Sequence, residues 1–259
     1  MSALDRAGPG TPCWVSLLTG DLPEAQRFYG AVLGWTFRPG SLGEDFSVAL
    51  ADGRPVAGLG DVARSFGVAV SWTCYFAVDD ANLVASRIRE RGGTVAVGPV
   101  ALGHGRVVLA ADPAGAVFGF WEGEVMRGWR IGSGAAPAWL ELRTRDAFAS
   151  AVFYGEIFDW DKRSDICEVR YEDEAVMVRA GDSTVACLRG GAIEAAPDPR
   201  IRPRWHVYFR VDDVDKAVEA ALAAGGAVEA PVGSLENERE AALRDPEGGI
   251  FTVTERTGC

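Results

Sequence analysis

Apolar and polar residues alternate from Trp14 to Thr19, which suits a half-buried strand. Asp21 follows, with Glu24 three residues on, and the pair reads as a helix N-cap with a capping box. Ala25, Phe28, Tyr29 and Val32 then recur at helical spacing until Gly34 stops the helix. The same pattern begins again at Trp205. Val207 to Val211 is a strand, Asp212 or Asp213 caps, and Val214, Ala217, Val218, Ala221 and Leu222 make the buried stripe up to Gly225-Gly226. Short β-rich runs follow each helix. Asp-Pro-x-Gly turns lead into the last strands, Ala116–Trp121 and Gly249–Thr254.

These patterns are repeats. Trp14-Val-Ser-Leu-Leu-Thr-Gly-Asp21 returns as Trp139-Leu-Glu-Leu-Arg-Thr-Arg-Asp146, and Phe28-Tyr29-Gly30 as Phe153-Tyr154-Gly155. A second unit, Trp72 to Asp80, returns as Trp205 to Asp213, and Asp112-Pro113-Ala-Gly115 as Asp245-Pro246-Glu-Gly248. The order is therefore A, B, A′, B′, four βαβββ units in two halves. The Gly-containing segment from Gly123 to Pro137 joins the halves as a linker.

The runs "DLPEAQRFYGAVLGW", "YFAVDDANLVASRIRERGG" and "ADPAGAVFGFWE" resemble the signature stretches of the vicinal-oxygen-chelate superfamily, which holds glyoxalases, bleomycin-resistance proteins and dioxygenases. More narrowly, the chain resembles tandem-duplicated members from antibiotic-producing and related actinobacteria. The resemblance implies an α+β fold of two tandem domains. In each, two βαβββ modules form a curved mixed sheet around a cavity, with the helices outside. The expected division is an N-terminal tail over 1–10, a first domain over 11–124, a linker over 125–136 and a second domain over 137–256.

Metal-dependent members of the family place His on the first strands and Glu on a last strand, and the bound ion polarises a substrate's vicinal oxygens. By the resemblance, those positions here hold Trp14, Thr73 and Gly119 in the first half, and Trp139, His206 and Thr252 in the second. One imidazole falls short of the roughly three protein ligands that a catalytic metal needs. The expectation is no metal and no cofactor. A metalloenzyme whose carboxylates come from loops is a weaker option.

Strand parity sorts what faces each cavity. In the first half the row is Trp14, Ser16, Leu18, Thr73, Tyr75, Ala77, Val117, Gly119 and Trp121, an aromatic-walled pocket with a few hydroxyls. His104, in the Gly103-His-Gly105 loop, is expected near its mouth. In the second half the row is Trp139, Glu141, Arg143, His206, Tyr208, Arg210, Thr252 and Thr254, polar and charged. Each has a plainer alternative. Trp14 and Trp139 plug the former metal sites, and Glu141, Arg143 and Arg210 form a satisfied ion cluster.

Composition narrows the partners. With 37 acidic and 26 basic residues the net charge is −11, which repels nucleic acid and anionic membranes. No apolar stretch approaches the ~18–20 residues of a membrane span, and the first ten residues lack a secretory signal's apolar run. Five dispersed cysteines read as reduced thiols, which points to the cytoplasm. The expected partner is a small hydrophobic or aromatic metabolite, and the expected assembly a monomer or homodimer. The leading expectation is metal-independent binding of an aromatic or polyketide-like molecule in antibiotic biosynthesis or self-resistance. The alternative is a metal-independent enzyme of secondary metabolism, with His206 and Glu141 as acid and base.

Overall fold

The computed structural model describes residues 8–160, 168–172, 175–181, 183–190, 203–230 and 239–255. The first module runs β1 (Pro12–Thr19), α1 (Leu22–Leu33), β2 (Thr36–Gly40), β3 (Gly43–Ala51) and β4 (Arg54–Asp61). A short helix, α2 (Ala63–Phe66), leads to β5 (Ser71–Val78), α3 (Ala81–Glu90), β6 (Thr94–Leu102), β7 (Gly105–Ala111) and β8 (Val117–Glu122). The second half repeats this with β9 (Trp139–Arg143), α4 (Ala147–Phe158), β10 (Glu168–Glu172), β11 (Ala175–Ala180) and β12 (Ser183–Arg189). It ends with β13 (Arg204–Arg210), α5 (Val214–Ala223), β14 (Ala227–Ala230), β15 (Glu240–Arg244) and β16 (Ile250–Thr254). The four predicted βαβββ modules are present.

Each half is one mixed eight-stranded sheet. The orders are β2-β3-β4-β1-β5-β8-β7-β6 and β10-β11-β12-β9-β13-β16-β15-β14. The first strands of the two modules pair antiparallel at the centre, and each runs parallel to the last strand of its own module. Parallel pairing needs a crossover, which the module's helix begins.

Asp21, Asp80, Asp146 and Asp213 cap the four long helices, each side chain accepting from a backbone N–H of the first turn. Asp213 is thus the cap that the Asp212-Asp213 pair left open. The expected capping box at α1 is only half made. Glu24 turns its carboxylate to Arg27, and the Asp21 N–H donates instead to Thr19 Oγ1 and Glu247 at 3.2 and 3.1 Å. Gly34 ends α1 at φ 67°, and Asp159 takes the same left-handed role after α4 at φ 57°.

The helices lie outside the cavities but inside the molecule. α1 packs on α5 and α3 on α4, so the helical layers of the two halves face each other. Besides packed rings and the Arg87–Asp159 ion pair, their contact includes a pair of matched hydrogen-bond chains. Trp72 Nε1 donates to Tyr29 Oη at 2.9 Å, and the Tyr29 hydroxyl donates to Asp245 Oδ2 at 2.9 Å. In the other direction, Trp205 Nε1 donates to Tyr154 Oη at 3.0 Å, and Tyr154 to Asp112 Oδ2 at 3.1 Å. The other oxygens of Asp112 and Asp245 hold the Asp-Pro-x-Gly turns through Ala116 N and Gly249 N, both at 2.8 Å. Burial raises the pKa of both carboxyls above the ordinary range.

The joining segment is not a bare tether. Trp129 and Ile131 are buried. Trp129 Nε1 donates to Val56 O at 2.7 Å, and its ring tilts against Trp14 at 5.5 Å. Cys13 and Cys74 are free and buried. Cys187 is disulfide-bonded, which corrects the expectation that all five are reduced. No helix among the described residues is long and apolar enough to cross a membrane.

Candidate functional site

Ser16 and Leu18 of β1 sit directly opposite Gly58 and Gly60 of β4 on the concave face of the first sheet. The two glycines leave the strand bare, so aromatic rings lie against it. A Cβ on Gly58 would come within 3.0 Å of Trp14 Nε1, and one on Gly60 within 3.0 Å of Phe46 Cε1. Above this floor is a cavity of about 310 Å³. Trp14, Ser16, Leu18 and Tyr75 form its base and Trp121 one wall. Phe46, opposite Gly60, and Val107, opposite Trp121, extend the sheet face. A largely apolar roof is formed by Leu42 from the β2–β3 hairpin tip, Leu102 from β6, and Val125 and Met126 from the joining segment, with Ser41, Ser47 and Glu124 also in the lining. The hairpin tips meet, since a Cβ on Gly103 would lie 3.3 Å from Leu42 Cδ2.

The polar groups here are few. Ser16 Oγ donates to Tyr75 Oη at 3.2 Å. Burial pushes the Tyr75 hydroxyl up to about 12, so it stays protonated at neutral pH and offers a hydrogen to a ligand oxygen. Burial likewise raises Cys13, at the cavity edge, to about 12, which keeps it a thiol rather than a nucleophilic thiolate.

The donors do not fit a metal. At the three positions implied in the first half stand an indole, a hydroxyl and no side chain at all. Tyr75 lies over Gly119 so closely that even a Cβ there would overlap its ring. A last-strand carboxylate therefore has no room. Among the described residues, no three His, Cys, Asp or Glu side chains converge as a ligand set.

The second half is built differently. Trp139 and Tyr208 stack on each other at 4.4 Å and are both about 1% exposed, so they bury one another rather than wall an open space. Glu141 and His206 face each other across β9 and β13, but each is engaged. Glu141 accepts from Arg143 Nε at 2.8 Å and pairs with Arg189 Nε at 3.2 Å. His206 Nε2 accepts from Arg204 Nε at 3.0 Å. Burial first, then the Arg143 and Arg204 charges, hold the imidazole pKa well below its ordinary value. Such a shift favours the uncharged ring at neutral pH, and the bond from Arg204 requires Nε2 to be the unprotonated nitrogen.

Of the residues singled out from the sequence, Trp14, Ser16, Tyr75 and Trp121 meet at the first cavity. Thr73, Gly119 and His104 do not line it. Thr73 is fully buried with no hydrogen-bond partner among the described residues, Gly119 is covered by Tyr75, and His104 is exposed in its turn. Arg143 and Tyr208 are joined by a 3.3 Å hydrogen bond, Thr252 is buried opposite Tyr208, and Arg210 is exposed at the strand end. Sequence reasoning missed the roof, because Leu42, Leu102 and Met126 belong to hairpin ends and the joining segment, where parity says nothing. It also missed Arg189 and Arg204. Arg204 shares the parity of His206, so that signal was present.

Comparisons with known proteins agree with this architecture. A family model described as a glyoxalase-like domain matches residues 139–254. The anthracycline biosynthesis protein DnrV of Streptomyces peucetius is 32% identical, over 97% of this chain and 95% of its own. The glyoxylase-like CFP32 of Mycobacterium tuberculosis is 33% identical over 94% of both chains. Among solved structures, the Mn(II)-bound glyoxalase of Novosphingobium aromaticivorans superposes with a TM-score of 0.59 at 16% identity, over 95% of this chain and 82% of its own. Homoprotocatechuate 2,3-dioxygenase of Brevibacterium fuscum gives 0.60 at 15%, over 98% and 83%. At such identities these two speak for the fold alone. With four modules in two cross-packed sheets and near full-length relatives a third identical, this chain belongs to the vicinal-oxygen-chelate superfamily.

Proposed function

We propose that this protein binds a flat, largely apolar aromatic metabolite in the cavity of its first half, without a metal, as part of secondary metabolism. The observation that carries the reading is the cavity itself. It has an indole and a phenol on the floor, a third aromatic wall, a largely apolar roof and, in its lining, the protonated Tyr75 hydroxyl bonded to Ser16. Its size is at the small end of the roughly 300–1,000 Å³ of ligand pockets, which suits a compact ring system held by stacking and area burial. The relatives named for anthracycline biosynthesis support the metabolic setting.

Catalysis by His206 and Glu141 draws less support. Glu141 is held by two guanidiniums, and a neutral imidazole that already accepts a hydrogen bond is a poor base.

The test is equilibrium dialysis and tryptophan quenching with a hydroxylated anthraquinone as probe. The reading expects one saturable site. Trp14→Ala is expected to weaken it at least tenfold, the loss of a stacked aromatic partner and its buried area. His206→Gln is expected to leave the stoichiometry intact. A wild-type protein that fails to bind planar aromatics, or a Trp14→Ala variant that binds them equally well, refutes the assignment.

A further inference from the structure

On the concave face of the second sheet, β12, β9 and β13 lie side by side. Arg189 is directly opposite Arg143, and Arg143 is directly opposite Arg204. Two residues along, on the same face, Glu141 is opposite His206. Three guanidinium side chains thus start from one row across neighbouring strands about 4.8 Å apart. Like charges placed directly opposite are destabilising, so such a row needs compensation.

Glu141 supplies one negative charge, shared between Arg143 and Arg189. Among the described residues, Arg204 has no carboxylate of its own. Its Nε donates to the His206 ring, and the nearby Glu229 is already paired with Arg244 at 2.8 Å. Glu229 acts on Arg204 from a distance and Glu240 lies near Tyr208, but Glu141 is the carboxylate that the described residues pair with this row, so three guanidiniums share one directly bonded carboxylate.

We infer that the second half holds an oxyanion-binding site between Arg143 and Arg204, beside His206, taking a carboxylate or phosphate group of a small ligand. The guanidinium fork suits both, because its parallel N–H groups match two oxygens of such a group. The site is reachable and stiff. The Arg143 and Arg189 side chains are 38% and 48% exposed, whereas Glu141 beneath them is 7% exposed. Glu141 and the Tyr208 hydroxyl hold Arg143 in place. This site lies on the other sheet and does not depend on the aromatic cavity.

The two histidines make the test direct. The intact protein is titrated with sodium phosphate, and separately with sodium acetate, at constant ionic strength against a chloride control. The imidazole resonances are followed, and His104 in its exposed turn serves as the reference. The inference expects a saturable shift of the His206 signals with phosphate or acetate, none with chloride, and none at His104. The tighter of the two anions assigns the group. Arg204→Gln is expected to weaken the apparent affinity at least tenfold, and Arg189→Gln, on a half-exposed side chain, serves if the first variant does not fold. A His206 response that does not saturate, that chloride reproduces, or that survives loss of the arginine overturns the site.

Discussion

Gly119 has no side chain, and the Tyr75 ring occupies the space one would take. A single added methyl overlaps that ring. Gly119→Ala is therefore expected to destabilise the protein by about 1–3 kcal/mol, the usual cost of overpacking, and to weaken aromatic binding as Tyr75 is displaced into the cavity. Urea unfolding and dialysis read the two effects. His206 gives a pH signature. Its folded pKa lies below the unfolded value of about 6.5, so the unfolded chain binds the proton first. The stability is complete above about pH 6.5 and is lost as the pH falls toward the folded pKa, at about 1.4 kcal/mol per pH unit. The difference between wild type and His206→Gln, followed by urea midpoints from about pH 7.5 to 5.5, is expected to show that slope. The buried Asp112 and Asp245 carboxyls, whose raised values are common to both proteins, cancel in the comparison. Parity alone pointed to Trp14, Ser16, Tyr75 and Trp121, because alternation fixes which face of a strand a side chain leaves from. It could not show that Thr73 would be fully covered, since that depends on neighbours brought in from elsewhere in the chain.

Among the elements, the helices were the most legible and the joining segment the least. Each long helix opens on an Asp whose side chain meets a first-turn N–H. At α4 that partner is the Ala149 N–H, 2.8 Å from the Asp146 carboxylate. Asp146→Ala leaves this donor to water and is expected to cost about 1 kcal/mol, measured by thermal or urea unfolding. The joining segment read as a linker because glycines punctuate it. In the structure Trp129 anchors it to the first sheet through Val56 and Trp14, and Val125 and Met126 roof the cavity. Trp129→Ala is expected to cost about 3–5 kcal/mol, the range for a buried tryptophan, and to loosen ligand retention more than ligand entry. Stopped-flow quenching with the anthraquinone probe separates the two rates.

Taken together, the two halves are held by the motifs that looked like local signatures. The Tyr of Phe-Tyr-Gly in each half reaches the Asp of Asp-Pro-x-Gly in the other. Tyr29→Phe strips Asp245 of one donor and Trp72 of its acceptor, both buried, so a loss of about 2–3 kcal/mol is expected. Because these bonds cross between the halves in both directions, calorimetry is expected to show one shared unfolding transition that moves down as a unit, and not two that separate.

Repetition and alternation are written along the chain, so the four modules, their caps and the faces of their strands followed from residues close in sequence. Which side chains stand at the strand positions that the family resemblance implies could also be read there, since that is a matter of which residues exist. Cross-packing of the halves, the closing of the first cavity by hairpin tips and joining segment, and the alignment of three arginines over Glu141 were decided only in three dimensions. Each depends on which distant strands lie side by side and in what register, and pairing of that kind is set by packing and not by any local pattern.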